Sequence, residues 1–259
     1  MELKVSQKTI RMKHSKRSFG IVSLLLFLVL GCGKKSTEGM ADSESDDTST
    51  AMAPALPAVA APQNISDLLP AGAVVFSETE GDLNNDGLPD KVVMIKGTDA
   101  SRWVTDENRG RLDRNRRGIL ILFKTQNGYQ LAAQNDTCFA SENEEGGVYY
   151  APELDLTVEK GKLYIHYAHG RYGYWRYTFW YQEGGFKLIG YDASDNQGPV
   201  VLAEASINFL TGKKIVKNNT NPNTYDGEEE FVTEKSNIAQ KRLMDLEKVQ
   251  DFEVLELPE

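Results

Sequence analysis

From residue 73 to residue 234 the chain repeats one local pattern, a short run of β-branched and aromatic residues followed by a turn built on Gly or Asn. The stretches "TQNGYQL", "VEKGKLYIHY" and "WYQEGGFKLIGY" show it most clearly, with Asn127-Gly128, Lys160-Gly161 and Gly184-Gly185 at the turns. Gly and Asn tolerate the backbone angles of tight hairpins, and Val, Ile, Tyr and Trp suit a pleated surface buried on one side. The pattern predicts strands over residues 73–78, 91–96, 118–125, 129–135, 154–159, 162–168, 174–182, 185–193, 212–216 and 229–234, with part of 242–249. Helical signals are few. A single turn capped by Ser66 is expected over 66–69. Residues 237–249, with Ile238, Leu243, Leu246 and Val249, match a helical stripe only in part. The expected fold is all-β, a mainly antiparallel β-sandwich or a strongly curled sheet.

The first 62 residues follow a different logic. A basic stretch, "KTIRMKHSKR", precedes the apolar run "FGIVSLLLFLVL" and then "GCG", the layout of a secretory signal. The apolar run is shorter than the about 20 residues that a spanning helix needs. Val29-Leu30-Gly31-Cys32 resembles the lipobox of bacterial lipoproteins, with Val29 where Leu is commoner. That resemblance implies cleavage before Cys32 and acylation of Cys32 on sulfur and on its new amino group. Gly33 in place of Asp implies sorting to the outer membrane. Several acyl chains anchor durably where one does not. Ordinary secretion or a simple membrane anchor is the alternative. The stretch that follows, rich in Ser, Thr, Asp, Glu, Ala and Pro, has too few bulky apolar residues to offset chain entropy. The expected organisation is a signal peptide at 1–31, a lipidated and disordered stalk at 32–62, and one β-domain at 63–259.

Charge narrows the partners. The formal charge is −9, but residues 1–31 carry +5, which leaves −14 on the remainder. So acidic a surface repels phosphates, and nucleic acid is excluded as a partner on that ground. Cations and cationic groups are favoured. With Cys32 assigned to the lipid, Cys138 is a lone thiol, and a lone thiol reads as a small buried hydrophobe. His166 and His169 stand far from it in sequence, so no Cys–His pair is expected.

The run "GDLNNDGLPDKVVM" concentrates oxygen-bearing side chains around one glycine and then turns apolar. Numbered from Asp82, the ligand positions are Asp82, Asn84, Asp86, Leu88 through its carbonyl, and Asp90. Ca²⁺ takes about six to eight oxygens, and side chains at alternate positions around a sharp turn at Gly87 converge on one point. Val93 stands where an EF-hand would place its bidentate Glu, and a strand follows in place of a helix. The loop is similar to the nine-residue loops of FG-GAP repeats of integrin α-chains, which implies a structural Ca²⁺ that pins the following strand. A solvated Asn-Asp-Gly turn is the plainer reading. From "DLLPAGAVVFSETEGDLNNDGLPDKVVMI" to "INFLTGKKI" the chain also resembles a family of uncharacterised secreted bacterial proteins and lipoproteins carrying one such loop. One loop is too few for a propeller.

A second concentration lies in "LYIHYAHGRYGYWRYTFWYQ". On a strand, Trp175, Tyr177, Phe179 and Tyr181 share one face and Arg176, Thr178 and Trp180 the other. One reading is a core face backed by a cross-strand ladder. The other is a ligand platform of His169, Arg171, Tyr174, Arg176 and Trp180 that stacks on sugar rings or grips an envelope protein. The acidic runs "ENEEGG" and "DGEEEF" are read as solvated loops, although a glycosidase pair is conceivable. No Ser elbow, phosphate loop or HExxH motif is present. A binding or structural module at the cell envelope is the expected function. The alternative is a hydrolase acting on polysaccharide or peptidoglycan.

Overall fold

The computed structural model describes residues 62–144, 151–239 and 242–257. The chain divides between Ala55 and Leu56, and every described element belongs to the unit Leu56–Glu259. The expected signal peptide, Cys32 and the expected stalk up to residue 61 lie outside the described residues. Among the described residues there are thirteen strands and no helix longer than one 3-10 turn. None of them forms a helix long and apolar enough to cross a membrane.

The strands are β1 (Ala73–Gly81), β2 (Asp90–Gly97), β3 (Trp103–Asp106), β4 (Gly110–Asp113), β5 (Arg117–Thr125), β6 (Gly128–Phe139), β7 (Glu153–Glu159), β8 (Lys162–Ala168), β9 (Gly173–Gln182), β10 (Gly185–Gln197), β11 (Val200–Asn208), β12 (Lys213–Asn219) and β13 (Phe231–Asn237). They form a four-stranded sheet in the order β1-β2-β5-β6 and a seven-stranded meander from β7 to β13. A separate two-stranded hairpin pairs β3 with β4. All pairings are antiparallel.

The two sheets pack face to face. Val92, Met94, Ile119 and Ile121 of the small sheet meet Leu163, Ile165, Tyr177 and Phe179 of the large one in a single core. The chain after β13 closes this core with Ile238, Leu246, Val249 and Phe252. The opposite face of the small sheet buries Val93, Ile95, Leu120 and Leu122 under Ile65, Leu68 and Leu69. Covered on both faces, β2 and β5 are therefore continuous apolar runs rather than alternating ones. β1 packs beside β7 and β6 beside β10. The last strands of the meander consequently extend past the small sheet, and every residue of β13 is exposed.

Several expectations are corrected. β11 and the β3–β4 hairpin are strands that local propensity does not signal. Residues 242–249 hold one bridge, Lys187 to Asp245, and a 3-10 turn, Leu246–Lys248, in place of a strand or a helix. The first turn is a 3-10 helix, Ile65–Leu68, with Asn64 at its N-cap and no side-chain cap bond, so Ser66 is not the cap. Two hairpins turn on adjacent residues with positive φ, Lys160-Gly161 (51° and 72°) and Glu183-Gly184 (52° and 73°). The second lies one residue earlier than expected, because the pairing of Gln182 with Gly185 leaves Glu183 and Gly184 in the loop.

Candidate functional site

The acidic run is the loop of the β1–β2 hairpin. Gly81 pairs with Asp90, which leaves residues 82–89 to make the turn. Gly87 (φ 86°) and Asn85 (φ 62°) take the left-handed angles that the reversal needs. The Asp82 carboxylate accepts the Asp86 N–H at 3.1 Å and the Gly87 N–H at 2.9 Å. The Asp86 carboxylate accepts the Leu88 N–H at 2.8 Å and the Asn84 amide at 2.9 Å. The Asn84 side-chain oxygen in turn accepts the Asp86 N–H at 3.0 Å. Three of the five predicted ligands, Asp82, Asn84 and Asp86, thus sit in one hydrogen-bonded turn, with Leu88 exposed beside them.

Asp90 has backbone partners of its own. Its side chain is fully buried, one oxygen accepting the Leu83 N–H at 2.8 Å and the other the Lys124 N–H at 2.9 Å. Burial raises its pKa above the ordinary carboxylate value, and these backbone donors offset part of that rise. Asp90 therefore ties the loop to the end of β5. Among the described residues no three Asp, Glu, His or Cys side chains stand together as a metal-holding group. The oxygen chemistry of Asp82, Asn84 and Asp86 suits a hard cation, since each carboxylate oxygen keeps a further lone pair. Each Asp90 oxygen likewise accepts one backbone donor and keeps a further lone pair.

The aromatic stretch falls on β8 and β9, the second and third strands from the β7 edge of the meander. Tyr177 and Phe179 point into the core with Trp175 and Tyr181 at its margin, the face that alternation assigns to them. Tyr174, Arg176 and Trp180 share the outer face and are half-buried. The register places His166 opposite Arg176 and Asp192 opposite it on the other side. The Arg176 guanidinium lies 5.3 Å above the Tyr164 ring and pairs with Asp192 at 3.0 Å. Ser206 Oγ–H donates to the same Asp192 at 2.8 Å. The His166 and Tyr174 rings stack at 5.3 Å. Three of the five predicted platform residues come together here. His169 and Arg171 lie in the β8–β9 connection, where the His169 ring rests 5.3 Å from Tyr172. Tyr164, His166 and Asp192 complete the outer row, and only strand register reveals them.

The remaining candidates have structural partners. The Cys138 thiol is buried in the core, and burial pushes its pKa up, away from the reactive thiolate. Of the acidic runs, Glu142 pairs with Lys96 at 2.6 Å and Glu229 accepts the Val201 and Gly227 N–H groups. No family profile, curated protein or solved structure matches the chain.

Proposed function

We propose that this protein is a lipid-anchored binding module of the bacterial cell envelope, held at the outer membrane through Cys32, with the outer face of its seven-stranded sheet as the ligand surface. The observation that supports this most is the half-exposed row of Tyr164, His166, Tyr174, Arg176 and Trp180 on adjacent strands. Neighbouring strands lie about 4.8 Å apart, so rings on β8 and β9 offer a flat surface for a sugar ring or an extended peptide. Arg176 is held in place by Asp192 and Tyr164, which lowers the entropy cost of using it. The test is co-sedimentation of the unit Leu56–Glu259 with purified peptidoglycan sacculi and with outer-membrane vesicles. Binding that falls at least about tenfold in Tyr174→Ala and Trp180→Ala supports the proposal. Binding untouched by both substitutions, or no binding, sinks it, and soluble fragments released from the sacculi would favour the hydrolase.

A calcium ion on the β1–β2 loop belongs to the same proposal. Asp82, Asn84, Asp86 and the Leu88 carbonyl would hold it, and water would supply the remaining oxygens. A site with so few protein ligands should bind on the order of 10⁻⁴–10⁻³ M. Calorimetric titration of Ca²⁺ into wild type and Asp86→Ala checks it. Equal heats from the two proteins would remove calcium from the proposal.

A further inference from the structure

Lys96 is held by two carboxylates at once. It lies near the end of β2, and its Nζ stands 2.7 Å from Asp113 Oδ2 and 2.6 Å from Glu142 Oε1. Asp113 is the last residue of β4 and Glu142 follows β6, so three separate parts of the chain meet here. The Lys96 and Asp113 side chains are only 14% and 15% exposed, and the Phe76 ring lies 5.8 Å from the same nitrogen. Little water therefore reaches the pair.

The surroundings have features that an ion pair does not need. The two Asp113 oxygens are sorted: Oδ2 faces the ammonium, while Oδ1 accepts the Asn115 N–H at 3.0 Å and the Asn115 side-chain amide at 2.7 Å. Asn115 is almost fully buried, and its amide also donates to the Asp99 carbonyl at 3.0 Å, which locks its orientation. Two donors on one oxygen draw charge from the carboxylate carbon and stabilise an oxyanion formed there. Attack on that carbon needs a nitrogen about 3–3.5 Å away. A nitrogen 2.7 Å from one of the carbon's own oxygens meets this at an ordinary hydrogen-bond angle. Glu142 Oε2 is buried with no hydrogen-bond partner among the described residues, so a proton taken up by Glu142 meets no competing group. The neighbouring Asn143 donates to the Asp113 carbonyl at 2.9 Å, which keeps Glu142 beside Asp113.

We infer that Lys96 and Asp113 become joined side chain to side chain by an amide bond, with Glu142 as the group that moves the protons. Glu142 takes a proton from Nζ, the free amine attacks Asp113 Cγ, and the new negative charge falls on Oδ1 beside Asn115. The Cγ–Oδ2 bond then breaks. The two protons lost by the nitrogen leave with Oδ2 as water, so ammonium and carboxylate give amide and water with no oxidant or cofactor. Burial disfavours the ammonium, but the bonds to Asp113 and Glu142 raise the Lys96 pKa above its ordinary value. The charged pair is therefore the starting state, and proton transfer to Glu142 is the first step. Lys187 and Asp245 provide the contrast within the same domain. They are as well buried, but the other neighbour of Asp245 is Lys248, and no second carboxylate attends Lys187 among the described residues. That pair stays an ion pair. The amide would close residues 96–113 into a ring and fasten the β3–β4 hairpin, which belongs to neither sheet. Cys138 is the only cysteine after residue 32, so no disulfide can form within the domain to do this.

The experiment is tryptic mass mapping of the denatured full chain, as purified and after prolonged incubation of the folded protein. Trypsin does not cut after an acylated lysine. Residues 92–102 should therefore appear joined to residues 112–114 as one species, a water lighter than the two peptides together, with fragmentation placing the bond at Lys96 and Asp113. Asp113→Ala should lack this species. Glu142→Gln keeps the size of the side chain but cannot take the proton, and should slow formation at least about a hundredfold. Lys187 and Asp245 should remain unlinked in every sample. A wild type that gives only the separate peptides before and after incubation overturns the inference, and this result needs no variant to fold. Linkage formed as fast in Glu142→Gln as in wild type overturns the role of Glu142. Circular dichroism checks the fold of each variant. If Glu142→Gln unfolds the domain, Glu142→Asp, which draws the carboxylate back by one methylene, replaces it and should slow the reaction several-fold.

Discussion

Replacing Asp90 by alanine tests the role that the fold gives this carboxylate. The side chain is 0% exposed, and its two oxygens hold the Leu83 N–H at 2.8 Å and the Lys124 N–H at 2.9 Å. Truncation removes both acceptors and leaves two amides at the junction of loop and sheet without partners. Each amide stranded in this way costs about 1–3 kcal/mol, or about 2–6 kcal/mol for the pair. Relief of the buried charge acts in the opposite direction, so the net loss should be about 2–4 kcal/mol. Urea denaturation followed by tryptophan fluorescence at pH 7, in EGTA and again in excess Ca²⁺, measures it. If Asp90 acts as a hydrogen-bond acceptor, the loss is the same in both solutions. A loss confined to the calcium solution would make Asp90 a metal ligand, and a loss below about 0.5 kcal/mol in both would refute the reasoning. The pH dependence has a definite sign. Burial raises the folded pKa above the ordinary value of 3.8, so the folded state keeps a proton that the unfolded chain has released. This group therefore adds stability as pH falls from its raised pKa towards 3.8, and that stability is lost as pH rises through the same window. Asp90→Asn should abolish this slope while keeping one acceptor.

Packing sets three further outcomes. Gly173→Ala would place its Cβ 1.9 Å from the Ser194 carbonyl oxygen at a φ of +101° and should lose more than about 3 kcal/mol by thermal melting, whereas Gly184→Ala, with open space around it, should lose about 1 kcal/mol. Cys138 should resist a disulfide reagent in the native state and react only as fast as the domain opens; prompt labelling would contradict its place in the core. Asp245→Asn strands the Lys187 ammonium, itself only 9% exposed, and should cost about 2–4 kcal/mol in urea. Lys187 and then Lys248 hold the Asp245 pKa below its ordinary value, so the wild-type advantage should persist above about pH 4 and fade as pH drops through that lowered pKa; an advantage unchanged by acid would be the contrary result.

The strands that local chemistry signals are those whose residues prefer the pleated state by themselves. β5, β8 and β9 are rich in Ile, Leu, Tyr and Phe and end in turns with residues at positive φ, so their limits lie within one or two residues of expectation. β11 reads "VVLAEASIN", in which Ala and Glu carry no strand preference; it is a strand because β10 and β12 supply hydrogen bonds on both sides. The β3–β4 hairpin has four-residue strands set among arginines, too short for an alternating pattern to register.

The functional residues divide in the same way. The sequence by itself determined the all-β class, the oxygen-rich hairpin loop and the two faces of β9, because each depends on residues close together in the chain. Only the tertiary structure decided which of those residues act together. It tied Asp90 to the neighbouring strand, because the end of β5 brings the Lys124 N–H to its carboxylate across 34 positions of sequence. It joined Arg176 to Tyr164, His166 and Asp192 through strand register, and it brought Asp113 and Glu142 to Lys96. A side chain's role depends on its nearest donors and acceptors, and in a sheet protein these come from neighbouring strands that the chain reaches only after folding.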